Sequence, residues 1–137
     1  DFFFFFYGDE VGDNDIGATI DFHRSHGPAA TLTATYPPGR FGSLNIQNGQ
    51  VTSFEEKPRG DGALINGGFF VLSPKVFSYL KDDETIWEKE PLMQLAQNGE
   101  LMAYPHYGFW QPMDTLHDKN MLEKLWMSGL APWKRWD

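Results

Sequence analysis

The first apolar positions come as an unbroken run, Phe2 to Phe6, and the chain then turns polar at Gly8, Asp9 and Glu10. A run without alternation predicts a strand buried on both faces, as in a parallel sheet with helices above and below, since each ring left in water forgoes roughly 1.5–3 kcal/mol. Ile16, Thr19, Ile20 and His23 then recur at helical spacing, with capping residues at Asp13 to Asp15 and a stop at Gly27-Pro28. "TLTATY" alternates as a strand, "PPGRFG" breaks it, and "SLNI" and "VTSFEE" flank Asn48-Gly49, which predicts a type I′ hairpin. "GGFFVL" reads as another buried strand, and "SPKVFSYL" as a short helix with Ser73 at the N-cap and Pro74 following. Ile86 to Ala96 reads as a helix interrupted by Pro91 and closed by Asn98-Gly99. "LMAYPH" and "YGFWQP" read as strands, and "DTLHDKNMLEKLW" as a terminal helix. Strands alternating with helices give an α/β fold.

Composition narrows the class. With 137 residues, 41% of them hydrophobic and 16% aromatic, the chain suits one compact unit spanning 1–137, without repeats or a linker. The apolar run is too short to cross a bilayer and lacks the flanks of a signal peptide. Cysteine is absent, which excludes thiol chemistry and disulfides and makes a reducing cytoplasm the expected compartment. A net charge of −8, with no basic stripe, argues against a nucleic-acid partner. An anionic small molecule stays open where a few cations converge, and Arg40, Lys57 and Arg59 all lie in loop-like stretches.

Asp9 follows a strand through Tyr7-Gly8, at the end of the sheet where open α/β folds bind ligands; as a bland alternative it caps the next helix. Asp114 precedes a helix and carries the same two readings. Together they could hold Mg²⁺, which takes carboxylate and phosphate oxygens. In "FEEKPRGDG", Lys57 could meet a phosphate and a neighbouring glutamate sugar hydroxyls, unless the segment is a solvated charged turn. "INGGFF" offers Asn66 beside two glycines that allow close backbone approach. The four histidines complete no metal pattern, and Trp126, Trp133 and Trp136 suit packing or subunit contacts. Dinucleotide, Walker A and nucleophile-elbow signatures are absent.

In order, "YGD", "ATLTATYPPGRFG", "FEEKPRGDGALINGGFFVL", "EPLMQLAQNGELMAY", "GFWQPMDTLHDK" and "APWKRW" resemble the sugar-phosphate nucleotidyltransferases, and within them the glucose-1-phosphate cytidylyltransferase branch. The resemblance implies a Rossmann-like mixed sheet with flanking helices and a β-hairpin. It also implies that the chain corresponds to the C-terminal half, because the family's G-G-x-G-T-R-L nucleotide loop has no counterpart here. The implied reaction transfers a cytidylyl group from CTP to glucose 1-phosphate in a homo-oligomeric enzyme that supplies deoxysugars for surface polysaccharide. Asp9 and Asp114 would hold Mg²⁺, Glu56 and Lys57 would bind glucose 1-phosphate, Asn66 and Gly67 would line the sugar pocket, and Trp110 would shape it. A sister enzyme using UTP or dTTP, or a non-catalytic sugar-phosphate-binding or oligomer-forming module, are the rival expectations. One position departs from the family, which usually has glycine where this chain has Glu10. A left-handed backbone there would cost roughly 1–2 kcal/mol, so Glu10 is expected to be a strained intruder that repels phosphate, or a new ligand.

Overall fold

The computed structural model describes residues 1–38, 41–57 and 64–137, with side chains at 41–46 and 53–57 outside that description. These described residues build a four-stranded mixed sheet in the order β1-β6-β3-β7 and two separate two-stranded ribbons. In the main sheet, β3 (Ala30–Thr35) lies antiparallel to β6 (Ile65–Leu72) and parallel to β7 (Leu101–His106). One ribbon pairs β2 (Glu10–Gly12) with β8 (Trp110–Pro112), and the other pairs β4 (Phe41–Gln47) with β5 (Gln50–Lys57). The second ribbon turns at Asn48-Gly49, both at positive φ (49° and 78°), as a type I′ turn requires.

Helices cover both faces of the main sheet. Helix α1 (Ile16–His26) begins where the Asp15 side chain accepts the Ala18 N–H and ends at Gly27, whose φ of 63° lets its N–H close back on His23. It lies over the threonine face of β3, and Thr31, Thr33 and Thr35 are all buried. Their hydroxyls are matched there. Thr31 meets His23 Nδ1 at 2.8 Å, Thr33 accepts from Asn14 at 3.4 Å, and Thr35 donates to the His106 carbonyl at 3.2 Å. The opposite face is apolar: Ala30, Phe70 and Leu72 join Val76 of a 3₁₀ helix (Pro74–Tyr79) and Leu95 of α2 (Glu90–Gln97) in the core.

Three expectations need correction. The phenylalanine run is an edge strand, β1 (Phe3–Phe5), antiparallel to β6, and it is not buried on both faces. Because side chains alternate along a strand, Phe3 stacks on Phe77 at 5.5 Å and Phe5 meets Phe70 and Trp87, whereas Phe4 and Phe6 remain 46% and 61% exposed. The exposed rings border an apolar cavity of about 210 Å³ together with Ile16, Phe69 and Val71. Pro91, in turn, lies in the first turn of α2 and does not interrupt it, since that turn needs no N–H there; the helix begins at Glu90, not at Ile86. Ser73 does precede the 3₁₀ helix, but its hydroxyl makes no cap; it donates to the Pro28 carbonyl and meets His23 Nε2.

The last helix, α3 (Leu116–Met127), opens with a capping box. Thr115 accepts the Asp118 N–H, and the Asp118 carboxylate accepts the Thr115 N–H in return. Among the described residues, no helix is long and apolar enough to cross a membrane.

Candidate active site

The site forms where the β2–β8 ribbon meets a break in the main sheet. Glu10 pairs with Pro112, and one step outward the Met113 N–H donates to the Asp9 carbonyl at 2.7 Å. Asp9 and Asp114 are thereby carried to the same end of the ribbon from opposite ends of the sequence. Both are exposed, and neither is a helix cap: those positions belong to Asp15 and Thr115. The bland alternative for both aspartates therefore fails, since their carboxylates serve no capping role.

The break lies in β6, whose register against β3 shifts between Leu32 and Ala34, opposite Gly67 and Gly68. Gly67 passes so close to β3 that a Cβ would stand 3.1 Å from the Thr33 carbonyl oxygen. Gly68 has a φ of +81°, and a Cβ there would collide with the Glu10 carboxyl. Hydrogen bonds set this bulge. The buried Trp110 donates its indole N–H to the Gly67 carbonyl at 3.0 Å, and Asn66 Oδ1 accepts the Gly68 N–H at 2.9 Å. Asn66 Nδ2 donates to the Tyr7 hydroxyl at 3.1 Å, tying the bulge to the segment that leads into Asp9.

Glu10 corrects a further expectation. It lies in β2, and Asn48 is the sole positive-φ residue other than glycine among those described, so Glu10 carries no left-handed strain. The need for glycine falls on Gly68, against which the Glu10 carboxyl rests. Burial, reinforced by the charges of Asp9 and Asp114, pushes the Glu10 carboxyl up to about 7. Burial likewise pushes the Tyr7 hydroxyl up to about 12; the Asn66 hydrogen bond opposes this, while Glu88 and Glu10 add to it.

Asp9, Asn66, Gly67, Trp110 and Asp114 are thus gathered around one ribbon and one bulge. The backbone of Glu56 and Lys57 closes β5 opposite Gly42 and Phe41, and their side chains lie outside the described residues, as do Arg40 and Arg59. The sequence reading missed the seat of Glu10 on Gly68, although the second glycine of "INGG" was its signal. Among the described residues no group of three or more histidine, aspartate or glutamate side chains converges to hold a metal. Two exposed aspartates remain, a donor set that fits Mg²⁺, which binds through one or two carboxylates and completes its shell with phosphate and water.

Residues 1–111 match the family described as nucleotidyl transferase. Over 135 residues the chain is 68% identical to a glucose-1-phosphate cytidylyltransferase of Salmonella typhi and 67% identical to that of Salmonella typhimurium, covering 98% of this chain and 52% of each relative. It spans about half the length of these curated relatives. Among solved structures, HddC from Yersinia pseudotuberculosis superposes with a TM-score of 0.61 at 21% identity, covering 88% of this chain and 53% of that one, a likeness of fold. With the matched region running from β1 through the ribbon that carries Asp9, the chain belongs to the nucleotidyl transferase family.

Proposed function

We propose that the full-length protein carrying this chain transfers a cytidylyl group from CTP to glucose 1-phosphate, giving CDP-glucose and pyrophosphate. The observation that carries this reading is the β2–β8 ladder, which delivers Asp9 and Asp114 together with neither carboxylate used as a cap. The names of the two Salmonella relatives support the choice of substrates.

In this reading a phosphate oxygen of glucose 1-phosphate attacks the α-phosphorus of CTP in line, and the bond to the β-phosphate oxygen breaks as pyrophosphate leaves. Asp9 and Asp114 hold Mg²⁺, which when bound neutralises phosphate charge and orients the oxygens. Lys57 meets the sugar phosphate as a point charge, and Glu56 accepts sugar hydroxyls. Asn66 and Gly67 line the sugar pocket, and Trp110 holds the Gly67 carbonyl in place from behind. The protein acts in the cytoplasm as a homo-oligomer and feeds deoxysugar synthesis for surface polysaccharide.

The test is pyrophosphate release by the purified full-length protein, with glucose 1-phosphate, Mg²⁺ and each of CTP, UTP and dTTP. CTP is expected to be preferred by about tenfold or more in kcat/KM. Preference for UTP or dTTP overturns the choice of base. No release from any of the three, with any hexose 1-phosphate, overturns the reaction.

A further inference from the structure

Tyr7 has no role in the transfer just described, yet its hydroxyl joins the two halves of the site. The residue follows β1 and stands two positions before Asp9. Its ring is anchored on the core, meeting Phe5 edge-on at 5.8 Å and Phe70 at 6.0 Å. At the far end of that ring the hydroxyl oxygen accepts the Asn66 Nδ2–H at 3.1 Å. The Glu88 carboxylate lies beside the same hydroxyl, and burial keeps its proton in place at neutral pH, with the pKa pushed up to about 12. Tyr7 is therefore no base for the chemistry. What it supplies is an oxygen held at a fixed point.

An asparagine amide needs such a point, because its terminal torsion is broad and two-fold. The Gly68 N–H pins one end of the Asn66 amide, donating to Oδ1 at 2.9 Å. That bond fixes which end is the oxygen but leaves the amide free to swing about the contact. Tyr7 holds the other end, and two points fix the plane. An amide carries two donor and two acceptor positions, of which one each is used here. Among the described residues, half-buried Asn66 thus keeps one N–H and one oxygen lone pair uncommitted. A donor and an acceptor side by side match the neighbouring hydroxyls of a hexose, each of which donates and accepts. We propose that Tyr7 is a positioning residue, whose hydroxyl holds the Asn66 amide in the orientation that meets the hexose hydroxyls and so sets the affinity for the sugar 1-phosphate. This rests on the reading of Asn66 as part of the sugar pocket.

The test is steady-state pyrophosphate release by the full-length protein, with KM measured separately for glucose 1-phosphate and for CTP. Tyr7→Phe keeps the ring and its packing and removes the hydroxyl alone. It should raise the KM for glucose 1-phosphate about three- to tenfold, with kcat and the KM for CTP within about twofold of wild type. Asn66→Ala should raise the same KM at least as much. Adding Tyr7→Phe to Asn66→Ala should then change it by no more than about twofold, since the hydroxyl acts only through the amide. An unchanged KM in Tyr7→Phe or in Asn66→Ala overturns the proposal. A full additional loss in the Asn66→Ala background, or a parallel rise in the KM for CTP, overturns it as well, because either means that Tyr7 acts by another route. A Tyr7→Phe protein that does not fold marks the hydroxyl as a structural tie alone and also overturns it. A wild type that releases no pyrophosphate defeats the reaction proposed above, and this assignment with it, before any variant is made.

Discussion

His23 fastens three elements at one buried point, and its removal should be felt throughout the main sheet. The ring is 3% exposed, with Nδ1 at 2.8 Å from Thr31 Oγ1 on β3 and Nε2 at 2.8 Å from Ser73 Oγ after β6. Because Ser73 gives its hydroxyl proton to the Pro28 carbonyl, the Nε2–H must donate to Ser73 and Nδ1 must accept from Thr31. His23→Ala removes both bonds, at about 1 kcal/mol each, and leaves the Thr31 hydroxyl, on a residue with no exposure, without an acceptor. The expected loss is about 2–4 kcal/mol. His23→Gln restores a donor near the Nε2 position and should recover about half. Burial, with the Lys75 charge behind it, holds the His23 imidazole below its usual range. The folded protein then binds fewer protons than the unfolded chain. Stability is therefore fully present above the unfolded-state value of about 6.5 and lost as pH falls below it. Urea unfolding followed by circular dichroism at about pH 8 and about pH 5.5 measures both effects. A cost for His23→Ala below about 0.5 kcal/mol, or an equal pH dependence in wild type and His23→Gln, refutes the argument.

Asp9→Asn and Asp114→Asn in the full-length protein should each remove most turnover and leave the urea midpoint nearly unchanged, because both carboxylates are exposed and cap no helix. Lys57→Ala should raise the KM for glucose 1-phosphate more than it lowers kcat, as steady-state kinetics will tell. Thr115→Ala should cost about 1 kcal/mol in thermal unfolding through the capping box at α3. Gly68→Ala should cost about 1–2 kcal/mol from its left-handed backbone alone, since the Glu10 carboxyl in its way is the free end of a flexible side chain.

Element types were legible because local chemistry and tertiary demand agreed. Asp15, Gly27, Asn48-Gly49 and Gly99 act as written, and each is a short-range signal. The phenylalanine run was misread for a definite reason. Five identical residues carry no alternation, so the sequence could not reveal that Phe3 and Phe5 lean on Phe77 and Phe70 while Phe4 and Phe6 are left the more exposed. Pro91 was ambiguous in the same way, because a proline suits the first turn of a helix as well as it breaks a later one. At the site, motif order marked Asp9, Asn66, Gly67, Trp110 and Asp114. Their assembly was invisible, since it depends on a ribbon joining residues from the two ends of the chain. The position of Glu10 was visible as a departure from the family, but its seat on Gly68 is a product of the β6 bulge, which no local signal near Glu10 announces.

The β2–β8 ribbon has a consequence for how the protein folds. Asp9 and Asp114 lie roughly a hundred residues apart in sequence, and a ladder of three residue pairs joins their strands. Closing a loop of that size costs roughly 4 kcal/mol of chain entropy before any contact in the ribbon is gained. Pairings of such high contact order form late, after the hairpin and the helices with their short-range bonds. The two aspartates should therefore come into register in one of the last steps. Under the proposed role of Asp9 and Asp114 as Mg²⁺ ligands, a chain that has collapsed but not closed the ribbon would offer the metal no common anchor, so the metal would select the finished fold and stabilise it by mass action.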